Sequence, residues 1–330
     1  RICFSSNYSS LAGISLLLMT LWSILSEIWP AVPSWPSGVF AWFAAVLLIS
    51  QLSKVQILQI GILLLIGIVA LSTGIGLGTQ PQWLRLIDAN ACLLSMLAAV
   101  SFLKLVAMQH KKIKATAPRG MRAYWQTMLA VALFGAFINV SAPILIADRV
   151  SGGKRLSLFA AKSIARAFIG GPTWSPFFAG MAVVLTYVAD AHFLVIMVFG
   201  FPFAVIGLVL VIAEAKFRFP EEVLSFEGFP MTLSSLWLPC VLVVGVLLGH
   251  TLLPHASILA VIALSALFIS SIGICFSRGF TEGKNQLQQH ILEGLPKMVN
   301  ELVLFLAAGI LAIGLQTLVS ATHMSLPFGG

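Results

Sequence analysis

The sequence predicts an all-α, polytopic membrane protein, and three observations support that fold class. Of the 330 residues, 59% are hydrophobic and 9% are charged, and the mean hydropathy is +1.02. Soluble domains carry about 25% charged residues, so a soluble globular domain is excluded. Apolar segments of about 20 residues recur along the chain, and a helix of that length crosses a hydrocarbon core. Two further segments are interrupted in the middle by polar and helix-breaking residues.

The predicted elements follow the chain as nine crossings and one hairpin. The crossings are 11–29, 38–50, 55–73, 83–108, 158–190, 192–215, 236–253, 257–276 and 300–321. The segment 83–108 is predicted as a single crossing, and 38–50 is short for a bilayer. We expect the connection from Pro220 to Phe229 to be an ordinary amphipathic loop, and we expect Glu214, at the end of a crossing, to be solvated.

The distribution of positive charge predicts the orientation. The net charge of +8 would indicate nucleic acid binding in a soluble protein, but in a membrane protein it indicates basic cytoplasmic loops. The loop 110–122 concentrates Lys111, Lys112, Lys114, Arg119 and Arg122. With this loop inside, the outer loops 30–37, 74–82, 190–192 and 254–256 contain no Lys or Arg. The sequence therefore predicts a multi-pass protein of the inner (plasma) membrane with a cytoplasmic N-terminus.

The first interrupted segment, 124–150, is predicted to be a re-entrant hairpin. Its apolar run is broken by Asn139-Val140-Ser141-Ala142-Pro143. Basic residues flank the segment on both sides, so both of its ends belong on the cytoplasmic face. A segment that leaves and returns to one face has its turn inside the membrane.

The second interrupted segment, 158–190, is predicted to cross completely. It is broken by Gly170-Gly171-Pro172-Thr173-Trp174-Ser175-Pro176, and it ends at Asp190-Ala191-His192 without a basic residue. Freed backbone groups inside a bilayer persist only where protein or an aqueous cavity satisfies them. Paired broken helices are the strongest sequence-level indication of a transporter's substrate site.

An internal repeat is also predicted. The segments 86–107 and 299–320 each have a polar head followed by a helix rich in small residues, and they run in opposite directions, as inverted repeats do. We therefore divide the chain into a first repeat (1–215), a cytoplasmic linker (216–235) and the start of a second, incomplete repeat (236–330). Since the chain begins with Arg1, we expect it to be a fragment of a longer carrier.

The layout resembles the ion transporter superfamily of secondary carriers. That group includes divalent anion/sodium symporters, citrate carriers, arsenite pumps and the large subunits of tripartite periplasmic transporters. The resemblance lies in FGAFINVSAPILI around Asn139, in AFIGGPTWSP around Gly170, and in NELVLFLAAGILAIGLQTL from Asn300. It implies repeats of three spans, a re-entrant hairpin and a broken helix. It also implies transport of a small anion, a carboxylate or an oxyanion, driven by a Na⁺ or H⁺ gradient.

The candidate binding site consists of the two interruptions. Half-helix N-termini present unpaired N–H donors to an anion, and unwound carbonyls coordinate Na⁺. The residues predicted to bind substrate or ion are Asn139, Ser141, Gly170, Gly171, Thr173 and Ser175. Arg166 is predicted either to attract the anion or to extend its charged end to the cytoplasmic face. We expect no catalytic residue, cofactor or metal beyond Na⁺ at these breaks, and we expect the histidines, His290 included, at loop or interface positions.

Three alternatives remain open at this stage. In the first, the interruptions are ordinary kinks, which are frequent in membrane helices. In the second, the chain is a membrane-embedded enzyme that acts on a lipid-linked substrate through Arg149 or Arg166. In the third, it is a non-catalytic membrane subunit or a degraded paralogue. We favour a carrier that is not an enzyme, whose partners are a small anion and the lipid bilayer, with a homodimer or a partner membrane subunit as a further option and no nucleic acid.

Overall fold

The computed structural model describes residues 5–107, 118–139, 141–188, 190–229 and 237–322. Regular structure in these ranges is helical throughout. The basic loop from which the orientation was predicted lies mostly outside the described residues, as does Val140 of the hairpin tip. The helices are α1 (Ser5–Ile28), α2 (Trp35–Leu48), α3 (Lys54–Gly76), α4 (Trp83–Asp88), α5 (Ala91–Ser101), α6 (Leu103–Ala107), α7 (Gly120–Ile138), α8 (Ser141–Ser151), α9 (Leu158–Ile169), α10 (Ala179–Tyr187), α11 (Phe193–Arg218), α12 (Pro220–Leu224), α13 (Trp237–Leu252), α14 (Ile258–Arg278), α15 (Phe280–Gln289) and α16 (Val299–Thr322).

Seven helical segments of the described chain are long and apolar enough to cross a membrane. They are Asn7–Ile28, Lys54–Gly76, Trp83–Val106, Gly120–Ile138, Phe193–Arg218, Ile258–Ser277 and Phe280–Thr322. Two shorter apolar helices, Trp35–Gln51 and Trp237–Leu252, coincide with two more of the predicted crossings. The all-α, polytopic class is confirmed at this level. One of the seven, α7, is the first arm of the predicted hairpin, and the predicted crossing 158–190 appears as two short helices, α9 and α10.

The contacts divide the chain into two compact units. Unit 1 comprises Arg1–Phe102 and Val246–Gly330, and unit 2 comprises Leu103–Gly245. These boundaries differ from the division at 215 and 236 that the repeat suggested. The repeat concerns internal symmetry rather than compactness, so it stays a prediction.

In unit 1, glycines allow α3 and α16 to pack backbone against backbone. A Cβ at Gly67 would lie 2.8 Å from the Cα of Leu311, and one at Gly74 would lie 2.9 Å from the backbone nitrogen of Leu318. A Cβ at Gly314 would overlap the carbonyl of Gly67. Small residues at such crossings are the usual means of close helix packing in membranes.

Unit 1 also contains a helix break that the sequence did not predict. The expected single crossing 83–108 is interrupted between α4 and α5, where Asn90 has a φ of +63°. The Asn90 side-chain amide donates a hydrogen bond to the carbonyl of Phe305 on α16, 2.8 Å away. Asn tolerates this left-handed conformation better than most residues, so a single Asn breaks the helix without Gly or Pro.

Unit 2 is built around α7, α8 and α9. Its buried core includes Tyr124, Met128 and Val131 of α7, Ile146 of α8 and Ile164 of α9. The Tyr124 hydroxyl donates to the Ser163 hydroxyl at 2.8 Å, so the buried phenol has a partner.

The segment after α12 is part of the core of unit 2, and the expectation of an ordinary loop there was wrong. We call residues 225–229 the strap. Phe226 and Phe229 of the strap are buried. The Gly120 N–H donates to the Phe226 carbonyl at 3.0 Å, and the strap residue Glu227 forms an ion pair with Arg119. The hydrogen bond and the ion pair attach the strap to the start of α7. The two apolar rings of the strap favour its burial, because their removal from water is favourable.

Candidate functional site

The first predicted interruption is a sharp break between α7 and α8. Helix α7 ends at Ile138, and Asn139 follows with φ +60° and ψ −146°. The Asn139 N–H still donates to the Gly135 carbonyl at 3.0 Å, and its own carbonyl accepts from the Ala142 N–H at 3.1 Å. A non-glycine residue in such a sparsely populated region costs about 1–3 kcal/mol, and such strain concentrates at ligand-binding sites.

After this break, α8 folds back beside α7. The Phe229 N–H of the strap donates to the Thr127 hydroxyl at 2.8 Å, early in α7. The guanidinium of Arg149, near the end of α8, lies 5.5 Å from the centroid of the same Phe229 ring. The end of α8 therefore lies near the first half of α7, and the two helices form a hairpin with its turn at Asn139.

The second interruption is a non-helical segment between α9 and α10. Helix α9 begins at the cap residue Ser157, whose hydroxyl accepts from the Ala160 N–H, and it ends at Ile169. Residues Gly171–Thr173 form one 3₁₀ turn, which the Trp174 N–H closes by donating to the Gly171 carbonyl at 3.3 Å. The same carbonyl accepts from the Ser175 N–H at 3.0 Å. Regular α-helix resumes only at Ala179. Pro172 and Pro176 lack N–H donors and therefore prevent a continuous helix here.

Ser175 connects the two breaks directly. Its side chain is 1% exposed, its hydroxyl donates to the carbonyl of Ala136 on α7, and the same oxygen accepts from the Phe177 N–H at 3.2 Å. Both groups are buried, and leaving either without a partner would cost about 1–3 kcal/mol. The Ser175 hydroxyl therefore holds the second break against the last turn of α7.

Aromatic rings pack across the same junction. The Phe137 ring lies 5.2 Å from the Phe177 ring and 6.2 Å, edge to face, from the Trp174 ring. The Cβ position of Gly171 is 3.8 Å from the Cα of Ala136. The two interruptions, separated by about 35 residues of sequence, thus meet in unit 2.

Helix α11 supports the second break, and sequence reasoning did not identify its contribution. A Cβ at Gly200 would overlap the Thr173 carbonyl oxygen. The Thr173 hydroxyl lies 2.8 Å from the Gly170 carbonyl and 3.3 Å from the Gly200 carbonyl, and the Trp174 ring packs edge to face on Phe201 at 5.2 Å. The available signal was Gly-Phe-Pro at 200–202, a glycine and a proline two residues apart inside an apolar helix.

Arg166 is part of an ion triad between α9 and α11. Its guanidinium lies 2.6 Å from one carboxylate oxygen of Glu214, whose other oxygen lies 3.2 Å from Arg218. The side chains of Arg166 and Glu214 are 54% and 30% exposed. Glu214, which was expected to be solvated, is partly exposed and in addition pairs with two arginines. Two guanidinium groups and one carboxylate leave the triad with one formal positive charge, on the first half of the broken segment.

The predicted site residues divide by exposure. Thr173 is exposed, Asn139 and Gly170 are half-buried, and Gly171 and Ser175 are buried. Ser141 is the first residue of α8, and the described structure covers its backbone alone.

Within the described ranges, no group of three or more His, Cys, Asp or Glu side chains could hold a metal ion. The polar groups described at the junction are backbone amides and carbonyls at the ends of α7 and α9 and at the starts of α8 and α10, together with neutral side chains. Comparison with models of known families, with curated proteins and with solved structures finds no match for this chain.

Proposed function

We propose that this chain is a secondary active transporter of a small anion, a carboxylate or an oxyanion, driven by a Na⁺ or H⁺ gradient. The observation that carries the proposal is the meeting of the two breaks, joined by the hydrogen bond from Ser175 to the Ala136 carbonyl. Two unrelated kinks in a packed bundle have no reason to coincide. A pair that coincides places four helix ends together, which is how discontinuous helices form substrate sites in transporters.

The helix ends supply both kinds of ligand that such a carrier needs. Helices α8 and α10 begin at the junction, at Ser141 and Ala179. The first N–H groups of a helix have no partner within it. In α8 the Ala142 N–H donates to the Asn139 carbonyl and Pro143 has no N–H, so α10 supplies more of these donors than α8. These N–H groups and the positive end of the helix dipole favour an anion. Helices α7 and α9 end there, and their last carbonyls are suited to Na⁺.

We assign the roles of the site residues from their contacts. Asn139 and Thr173 carry polar groups at accessible positions and are proposed to contact the solute, together with Ser141 at the start of α8. Gly170 contributes accessible backbone. Gly171 and Ser175 are buried, and we propose that they hold the two breaks together rather than bind the solute.

In the membrane, we propose that α7 and α8 form a re-entrant hairpin that opens to the cytoplasm and that the N-terminus of the chain is cytoplasmic. The strap and the ion triad would then lie on the cytoplasmic side, where the triad's positive charge attracts an anion toward the breaks. Alternating access would come from movement of the block that contains both breaks against the remaining spans.

The test is uptake into proteoliposomes under imposed Na⁺ and H⁺ gradients, against a panel of small carboxylates and inorganic oxyanions. Gradient-dependent uptake of at least one anion is expected. The decisive variant is Asn139→Gly, because glycine accepts the φ of +60° without strain, and this relief of about 1–3 kcal/mol offsets the extra conformational freedom that glycine loses on folding. We expect this variant to fold as the wild type does and to lose about tenfold in uptake, a loss of about 1.4 kcal/mol, since it lacks the amide.

Two further variants complete the design. Thr173→Val should also reduce uptake, whereas Thr251→Val, at an exposed hydroxyl near the end of α13, should not. Full uptake by both Asn139→Gly and Thr173→Val would contradict the proposal that the breaks bind the solute. If no anion in the panel shows gradient-driven uptake, the proposal that the chain is a carrier is wrong.

A further inference from the structure

His290 in unit 1 is a buried imidazole that the proposed site does not use. The sequence analysis expected it in a loop or at an interface, but the side chain is 4% exposed and lies in a defect of a long helical segment. Residues His290–Gly294 form a single π-helical turn between α15 and the 3₁₀ turn Leu295–Met298. Pro296 explains the local irregularity, because it has no N–H to donate to the preceding turn. Such π turns are frequent at functional sites.

The imidazole is held by the end of α5. Its Nε2 lies 2.8 Å from the Ser101 hydroxyl, and its ring packs edge to face on Phe102 with 4.5 Å between centroids. A Cβ at Gly294 would overlap the His290 ring, so only glycine fits one helical turn later. Helix α1 presses on the same turn, since a Cβ at Gly13 would overlap the carbonyl of Ile291.

These contacts lie where the first stretch of unit 1 ends along the chain. Helix α5 ends at Ser101, α6 begins at Leu103, and Phe102 between them is the last residue of unit 1 before the chain enters unit 2. His290 therefore contacts the last two residues of this segment of unit 1. Any change in how His290 is packed acts on the end of α5.

We infer that His290 is a proton-binding site that controls the end of α5 in unit 1. Histidine is the side chain whose charge ordinarily changes between pH 5 and 8. A charged imidazolium is unfavourable in a buried position, so protonation favours any conformation in which the ring is exposed. Such a conformation requires the ring to leave Phe102, which frees the end of α5. A proton thus shifts the population toward the freed state by its differential affinity for the two states.

The charged and titratable groups on the elements around the turn lie at its periphery. On α15 and the following turns they are Glu282, Lys284, Glu293 and Lys297, all exposed. Glu282 and Glu293 accept hydrogen bonds from Gln286 and Gln289 of the same helical segment. Helix α1 contributes Tyr8, which is exposed, and Glu27, fourteen residues beyond Gly13, which accepts from the Ser257 N–H. Lys104 follows Ser101 by three residues on α6.

The primary test is hydrogen–deuterium exchange of the purified protein between pH 8 and pH 5.5, corrected for the pH dependence of intrinsic amide exchange. In the wild type, peptides covering 96–106 and 286–298 should exchange about tenfold faster at the lower pH, because an exposed imidazole titrates near 6.5. In His290→Gln, which keeps a hydrogen-bonding side chain but cannot be charged, this acceleration should vanish. The control His255→Gln, in an exposed loop, should behave as the wild type. Retained acceleration in His290→Gln, or none in the wild type, overturns the inference.

If His290→Gln does not fold, Ser101→Ala is the test variant. It removes the Ser101 hydroxyl that contacts Nε2 of His290, and it leaves the imidazole in place. The midpoint of the pH response must then move, and an unchanged midpoint overturns the inference.

Discussion

Gly200 of α11 gives the sharpest test of how the second break is supported. Changing it to Ala adds one methyl group at a point where every neighbouring atom belongs to the backbone. The new Cβ would overlap the Thr173 carbonyl oxygen, lie 2.7 Å from the carbonyl carbon, and lie 3.4 Å from the Cα of Trp174. Because no side-chain rotation relieves this contact, the 3₁₀ turn must retreat from α11 by more than the roughly 0.7 Å that the carbonyl carbon alone requires, since the carbonyl oxygen is closer still.

The expected cost follows from that displacement. Overpacking by one methylene-sized group costs about 1–3 kcal/mol. The same retreat lengthens the 3.3 Å contact from the Thr173 hydroxyl to the Gly200 carbonyl, although the hydroxyl keeps the Gly170 carbonyl as its partner. Gly207, seven residues later on α11, is a matched control because a Cβ there meets nothing within 4 Å. Both substitutions change helix propensity equally, so their difference isolates the contact.

The assay is thermal unfolding of both variants in the same detergent. Gly207→Ala should melt at or above the wild type, and Gly200→Ala should melt lower, by about 1–2 °C for each kcal/mol lost from a chain of 330 residues. If the two variants melt together, α11 does not press on the break, and the account of how the break is positioned is wrong.

Three further substitutions test other contacts. Ser175→Ala leaves the Ala136 carbonyl and a buried N–H without partners and should lower the free energy of unfolding by about 1–3 kcal/mol. Thermal unfolding measures this against the control Ser151→Ala, whose half-buried residue donates an exposed hydrogen bond to the Asp148 carbonyl. Thr127→Val removes the acceptor of the Phe229 N–H, so limited proteolysis should cut the strap faster than in the wild type, and an unchanged rate would contradict its role as an anchor. Glu214→Gln weakens the partly exposed ion triad, and its effect on the melting temperature should be smaller than that of Ser175→Ala and should shrink further as salt is added.

The positions of both breaks were predictable because their causes are local. Pro172 and Pro176 limit the backbone wherever they occur, Gly170 weakens a helix through its conformational freedom, and Asn139 with Pro143 interrupts an otherwise apolar run. The contact between the breaks was proposed from paired interruptions alone, and the structure supplies its atoms through Ser175.

The features that sequence reasoning missed depend on tertiary neighbours. Gly200 has meaning only beside the Thr173 carbonyl, since glycines are frequent in membrane helices for many reasons. Asn90 breaks its helix without the usual Gly or Pro, and its side chain is satisfied by Phe305, which is 215 residues away. His290 looked peripheral because its segment is polar, and only the packing of α1 and the end of α5 buries it.

The contacts of unit 2 also limit how a substrate site there can open. The second break is joined to α7 by Ser175, to α11 by Gly200, and its first half is tied to α11 by Arg166. Separating the breaks would break the hydrogen bond between the Ser175 hydroxyl and the Ala136 carbonyl, both buried, and would part the edge-to-face rings of Phe137 and Trp174. The combined cost is several kcal/mol. A movement that carries α7, α8, the second break and α11 together disturbs none of these contacts. Access to the proposed site is therefore expected to change by movement of the block as a whole, and cysteine pairs placed across Ala136 and Ser175 should stay within cross-linking distance throughout transport.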